Sequence, residues 1–182
     1  MASAFTHGIV GFAAAVAYAG TPTPRRLWLL AAGCAIVPDA DVLGFRFGIP
    51  YRSLLGHRGL SHSLAFAAVL GIVVTTLAFR ELRLGSRKWF AHSLFFTAVT
   101  ASHGALDALT NGGLGVAFFS PMILKRYFFP WRPIAVSPVN VRKFFGPWAL
   151  QILATEVVWV WLPALALVLV ALGLRAVWKR GR

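Results

Sequence analysis

His57-Arg58-Gly59-Leu60-Ser61-His62-Ser63, running directly into the apolar stretch Leu64 to Phe79, decides how this chain reads. Seven residues bring together two imidazoles, a guanidinium and two hydroxyls, in a protein with five His and five Asp+Glu among 182 residues. The stretch from Leu60 to Phe79 is long and apolar enough to cross bilayer hydrocarbon as a helix. Ionisable groups at membrane depth are costly, so those gathered at the mouth of such a span point to function. His7, Asp39, Asp41, His103 and Asp107 also fall at or inside the ends of apolar stretches.

The composition agrees with a membrane setting. Hydrophobic residues make up 58% of the chain and charged residues 13%, where a soluble domain carries about a quarter charged. One membrane-embedded domain over residues 1–182 is expected, with no separate soluble domain. The net charge of +13 lies in short loops between apolar stretches. That placement fits anionic lipid and topology control better than nucleic acid. Cys34 is the single cysteine and lies inside a span, which excludes an intrachain disulfide. The N-terminal stretch lacks a basic leader and contains His7, which argues against a cleaved signal peptide.

The expected fold is all-α and polytopic, with five transmembrane helices over about 2–19, 27–43, 60–79, 89–109 and 148–174. Thr21-Pro22-Thr23-Pro24 stops the first, since proline cannot continue a helix. Thr110-Asn111-Gly112-Gly113 closes the fourth with residues suited to the left-handed position beyond a helix. Pro163 is a candidate kink in the fifth. Residues 114–147 mix Pro121, Pro130, Pro133 and Pro138 with aromatic rings and cations and read as an interfacial segment. Five crossings place His7, Asp39, Asp41, His57, His62, His103 and Asp107 at one membrane face. The other face holds the tighter cation clusters: Arg25 and Arg26, then Arg80, Arg83, Arg87 and Lys88, then the tail Arg175, Lys179, Arg180 and Arg182. That face is expected to be cytoplasmic and the site-bearing face extracytoplasmic, in the inner (cytoplasmic) membrane.

His103 and Asp107 are four apart and leave one face of a helix. They suit a divalent metal or a hydrogen bond at the helix end. Asp39 and Asp41 flank Ala40 after Pro38; two carboxylates this close call for a cation, an arginine or a proton between them, or form a capped turn. Taken with His7, His57 and His62, these residues exceed what capping needs, and the ligand types are those divalent metals select. Glu156, deeper in the fifth span, is a candidate outer partner or pairs with a cation. His92 starts the fourth span at the opposite face, roughly 16 Å of helix from His103, and is excluded.

Thr6-His7, Pro38-Asp39-Ala40-Asp41, His57-Arg58-Gly59-x-x-His62-Ser63 and Ser102-His103-x-x-x-Asp107-x-x-Thr110 resemble the LexA-regulated, membrane-bound metal-dependent hydrolases. The resemblance covers roughly residues 1–138. The His103–Asp107 pair is also similar to a ligand pair of zinc-dependent phospholipase C, which implies phosphoester hydrolysis.

The expected activity is metal-dependent hydrolysis of a lipid-linked or membrane-proximal substrate, a phosphoester, with zinc as the metal. His57, His62, His103 and Asp107 are the core ligands, with His7 and Asp39 next. Asp41 is the general base, and Arg58 stabilises oxyanion charge. A non-enzymatic metal-binding membrane protein, transporter or scaffold, is the alternative.

Overall fold

The computed structural model describes residues 1–181; Arg182 of the basic tail lies outside the described residues. The chain is helical, with no strand among the described residues and only two isolated bridges, Thr110 with Ile134 and Val116 with Tyr127. Helix α1 is Ala4–Ala19, α2 Arg25–Ile36, α3 Leu64–Ala78, α4 Arg87–Ala108, α5 Val141–Phe144, α6 Ala149–Glu156 and α7 Leu162–Arg180. Helix α2 tightens after Ile36 into a 3₁₀ segment, Val37–Phe47, with Pro38 in its first turn. A π-helical turn, Val157–Trp161, joins α6 to α7. Leu60–His62 forms a short 3₁₀ turn ahead of α3.

Serines set three of the helix starts. Ser3, Ser63 and Ser86 accept from the backbone N–H three residues on, opening α1, α3 and α4. The helices pack as antiparallel neighbours, α1 with α2 and α3 with α4, while α2 also meets α4 and α1 also meets α7. Small residues allow the close approaches, as they do where helices associate in lipid. A Cβ on Gly11 would come within 2.5 Å of the Ala31 carbonyl oxygen, and one on Gly71 within 2.7 Å of the Ser93 carbonyl oxygen. Leu27, Ala31, Cys34, Phe79, Phe96 and Val99 form the apolar core between the helices.

Two continuous helical stretches are long and apolar enough to cross a membrane, Arg25–Phe47 and Ala149–Arg180. The other expected spans fall short of that test. Helices α1 and α3 are apolar but have 16 and 15 residues, about 24 and 22 Å against roughly 30 Å of hydrocarbon. Helix α4 has 22 residues but carries Arg87, Lys88, His92, His103 and Asp107. None of the α7 residues Leu162–Arg180 is buried, and that face is lined with Leu and Val.

The 114–147 segment folds back onto the helix ends. Val116 and Ile134 are fully buried. Tyr127 exchanges both backbone hydrogen bonds with Val116, at 2.9 Å each, and Ala117 N–H donates to the Arg58 carbonyl at 3.0 Å.

Candidate metal centre

One end of the bundle collects the ionisable residues. Helix α1 supplies His7 one turn after its Ser3 cap. The 3₁₀ segment supplies Asp39 and Asp41; at three residues per turn, positions two apart diverge by about 120°, so the two carboxylates meet different partners. The loop before α3 supplies His57 and Arg58, its 3₁₀ turn supplies His62, and the last turns of α4 supply His103 and Asp107. Gly104 makes room for this meeting, since a Cβ there would lie 2.9 Å from the His62 carbonyl oxygen. His7, His103 and Asp107 are fully buried; His57 is 1%, His62 3% and Asp39 7% exposed, so the whole group is screened from solvent.

Four residues converge: Asp39, His62, His103 and Asp107 present ligand atoms that all lie within 4.8 Å of one another. His103 Nδ1 is 2.7 Å from the Ala35 carbonyl oxygen. A carbonyl only accepts, so Nδ1 carries a proton, and in the neutral ring Nε2 keeps its lone pair. His62 Nδ1 is 2.9 Å from Ser61 Oγ and 3.1 Å from Asp41 Oδ2, while Ser61 Oγ donates to the same Oδ2 at 2.6 Å. Nδ1 of His62 is therefore also the donor. With both rings neutral, the two Nε2 atoms are free of protons and face each other at 3.0 Å.

A proton on one Nε2 would satisfy that pair alone. It would leave Asp39, both of whose oxygens are buried without a hydrogen-bond partner. Asp39 Oδ1 lies 3.3 Å from His103 Nε2 and 3.6 Å from His62 Nε2, and Asp107 Oδ2 lies 3.6 Å from His62 Nε2. Four donors at about 2.0–2.1 Å from a tetrahedral zinc are separated by roughly 3.3 Å. The donor set, its spacing and the orphaned Asp39 thus fit a divalent cation. The outer shell fits as well, because each imidazole is oriented by an acceptor at its other nitrogen.

Asp107 is held on several sides. Arg58 Nε donates to Oδ2 at 2.8 Å, and the Ala2 N–H donates to Oδ1 at 2.8 Å. The remaining arms of the Arg58 guanidinium reach the Gly112 carbonyl at 2.9 Å and Thr110 Oγ1 at 3.0 Å. Arg58 is fully buried with φ 61°, a left-handed conformation unfavourable by about 1–2 kcal/mol for a non-glycine residue. Its backbone N–H is taken by Asp41 Oδ2 at 3.1 Å. The guanidinium that the sequence offers to an oxyanion is here committed to Asp107. His7 stacks on His103, with centroids 3.7 Å apart. Its Nε2 lies 3.5 Å from Asp107 Oδ1, and neither ring nitrogen has a hydrogen-bond partner.

His57 lies beside the four-residue cluster, in a second group with Asp41 and His62. Its Nδ1 is 2.7 Å from Asp41 Oδ1. Asp41 therefore accepts from His57 on one oxygen and from Ser61, Arg58 N–H and His62 on the other. Arg126 closes this side, donating to the carbonyls of His57 and Tyr51 at 2.8 Å each. Burial lowers the Arg126 pKa, helped by the Arg58 and Arg52 charges and opposed by Tyr51 and Asp41. Burial also pushes the Tyr51 phenol up.

Glu156 is an anchor. It is fully buried and accepts from Ser3 N–H at 2.5 Å, Ser3 Oγ at 2.7 Å and Thr6 Oγ1 at 2.8 Å. Trp161 Nε1 in turn donates to Thr6 Oγ1 at 2.7 Å. His92 sits at the far end of the bundle, 3.2 Å from the Tyr18 hydroxyl and packed on Phe79. Sequence reasoning missed Ser3, Ser61, Arg126 and the Ala35 carbonyl. A backbone carbonyl leaves no trace in residue types, but Ser61 lay within the quoted heptad.

A helical protein with apolar, membrane-length helices and a buried His/Asp cluster able to bind a metal is what this fold and site define. The chain belongs to the YdjM inner membrane protein family, whose pattern matches residues 1–181. It is 37% identical over 168 residues to a protein named inner membrane protein YbcI from Escherichia coli (strain K12), spanning 92% of this chain and 95% of that one. No solved structure matches it.

Proposed function

We propose that this protein is a metal-dependent hydrolase of the inner membrane, with a divalent metal, zinc, held by Asp39, His62, His103 and Asp107. The observation that carries the metal is the convergence of two Nε2 atoms 3.0 Å apart, each with its Nδ1 held by an acceptor, beside an Asp39 carboxylate without a hydrogen-bond partner. His7 is the neighbouring reserve ligand. The bound cation would supply Lewis acidity at a phosphoester. Asp41 orients the imidazoles of His57 and His62, and His57, whose Nδ1–H is fixed by Asp41, is the group placed to take a proton at Nε2. Arg58 fixes Asp107. The hydrolytic chemistry rests on the resemblance of the His/Asp motifs to membrane-bound hydrolases; the likeness to phospholipase C rests on the His103–Asp107 spacing alone. The substrate is a lipid-linked or membrane-proximal phosphoester, since the cluster lies at the end of helices with lipid-facing surfaces.

In this reading residues 1–182 form one domain. Helices α1, α2, α3, α4 and the α6–α7 rod all cross the membrane, with the site-bearing end extracytoplasmic. The short α1 and α3 are accommodated by local thinning or by flanking residues.

A second reading, a non-enzymatic metal-binding protein, is favoured by the closure of the cluster, since structural metal sites are closed and catalytic ones keep a position open. One experiment separates these. Metal per chain is measured by elemental analysis on monodisperse protein, with hydrolysis of phospholipid and of a chromogenic phosphodiester. Zinc near one per chain with hydrolysis lost in His57→Ala supports the enzyme. Zinc with no hydrolysis of either substrate supports the second reading. Full metal in the His103→Ala, Asp107→Ala double variant refutes both.

A further inference from the structure

The surface beside the cluster carries an unbalanced positive charge. Arg52 and Arg126, with Leu114 and Leu124, line a pocket of about 290 Å³. Arg52 is exposed and has no hydrogen bond or ion pair among the described residues. Arg126 is half-buried and rigidly placed, its Nη1 and Nη2 pinned to the carbonyls of His57 and Tyr51 and its plane 5.3 Å from the Tyr51 ring. The two guanidiniums act on each other as like charges. Lys125, next in sequence, is exposed as well.

Among the described residues no carboxylate forms an ion pair with either arginine, and the one that acts on Arg126 from a distance, Asp41, is engaged by His57 and Ser61. Asp41, Asp107 and Glu156 are hydrogen-bonded within the cluster or at the α1 anchor, Asp39 is buried facing His62 and His103, and Glu81 pairs with Arg26 at the other end of the bundle. The pair is thus open to an anion from outside.

The rim of the pocket says which kind. Met122, Ile123 and Leu124 are consecutive and 80%, 50% and 54% exposed, and Phe119, whose carbonyl accepts from the Ile123 N–H at 3.0 Å, is exposed as well. A free phosphate gains nothing from such a rim. Apolar side chains beside cations are what a headgroup boundary accommodates, the former among acyl chains and the latter at the phosphates.

We propose that the Arg52/Arg126 pocket binds the phosphate of an anionic glycerophospholipid, with the Met122–Leu124 tip seated among the acyl chains. Arg126 ties this site to the backbone of His57, so bound lipid would hold the His57 loop in place. The binding is independent of the metal and of hydrolysis, and its test reads neither.

Wild-type protein is exchanged into a neutral detergent. Phosphatidylglycerol, phosphatidylcholine or sodium phosphate is then added, and bound lipid is counted by native mass spectrometry alongside the thermal unfolding temperature. Phosphatidylglycerol is expected to form a one-to-one adduct and raise the unfolding temperature more than phosphatidylcholine, with no shift from phosphate. Arg52→Glu should weaken the phosphatidylglycerol adduct on the order of tenfold or more while leaving the lipid-free unfolding temperature unchanged, because Arg52 supports no other residue. Ile123→Asp should weaken it too. Equal binding of the two lipids, or undiminished phosphatidylglycerol binding by Arg52→Glu, overturns the proposal. Stabilisation by phosphate matching that by phosphatidylglycerol makes this a soluble-anion site and overturns the lipid assignment.

Discussion

Replacing Asp41 with Asn probes the centre without touching any of the four converging donors. Asp41 Oδ1 accepts from His57 at 2.7 Å; Oδ2 accepts from Ser61 at 2.6 Å and from Arg58 N–H at 3.1 Å, and lies 3.1 Å from His62 Nδ1. An amide has one acceptor where the carboxylate has two, and it puts an NH₂ against a nitrogen that is already a donor. Either the three donors at Oδ2 or the one at Oδ1 must lose its partner. The negative charge that makes His62 a better ligand is lost in both cases. Removing an outer partner of this kind costs about 10–100-fold in metal affinity, equivalent to about 1.4–2.7 kcal/mol. The measurement is zinc affinity by competition with a chromophoric chelator, at fixed pH and detergent. His92→Ala is the control, and its affinity should equal wild type. Asp41→Asn binding zinc within about threefold of wild type would show that His62 is not a ligand oriented through Asp41, and the assignment of the centre would fail with it.

Metal occupancy should fall as pH is lowered, because an imidazole binds a cation only when neutral and proton and metal compete for it; equilibrium dialysis across pH 5–8 reads this, and a flat profile contradicts histidine ligation. Glu156→Ala should lower stability by several kcal/mol, on the order of 1–3 for each buried donor left unpaired, while Glu156→Gln, which keeps one acceptor, should cost less; thermal unfolding in detergent compares them, and equal costs would deny Glu156 its anchoring role. Gly11→Val should destabilise by about 1–3 kcal/mol or more through overlap with the Ala31 backbone. An unchanged unfolding temperature would mean α1 and α2 are not held this close.

The helical elements were legible because apolar runs bounded by Pro, Gly and Ser leave little choice of where a helix starts and stops. Helix α1 begins two residues inside the expected stretch, and α4 differs by two residues at its start. The second helix was harder: Val37–Phe47 is apolar enough to extend a span, but Pro38 and two aspartates tighten it to 3₁₀ geometry, which hydropathy does not report. Five crossings were read where two stretches have the full length, because loop-separated apolar runs look alike whether they hold 15 residues or 23. The gathering of His7, Asp39, Asp41, His57, His62, His103 and Asp107 at one end followed from counting reversals of direction. What counting could not supply was the division of labour among them. It depends on which ring nitrogen meets a carbonyl and which meets a carboxylate, and Ala35 and Ser61 settle that by position alone.

Helix α1 is fastened to the same rod at both of its ends. Glu156 takes Ser3 and Thr6 at the cluster end, and Arg175 donates to the carbonyls of Ala17 at 3.0 Å and Tyr18 at 2.5 Å at the other. A helix tied at one point can slide or roll along its neighbour; tied at two, it has a fixed register. Slippage by a single turn, about 5.4 Å, would break both fastenings together. It would also carry His7 out of its stack on His103. The depth at which His7 sits is therefore set partly by an arginine at the opposite end of the molecule.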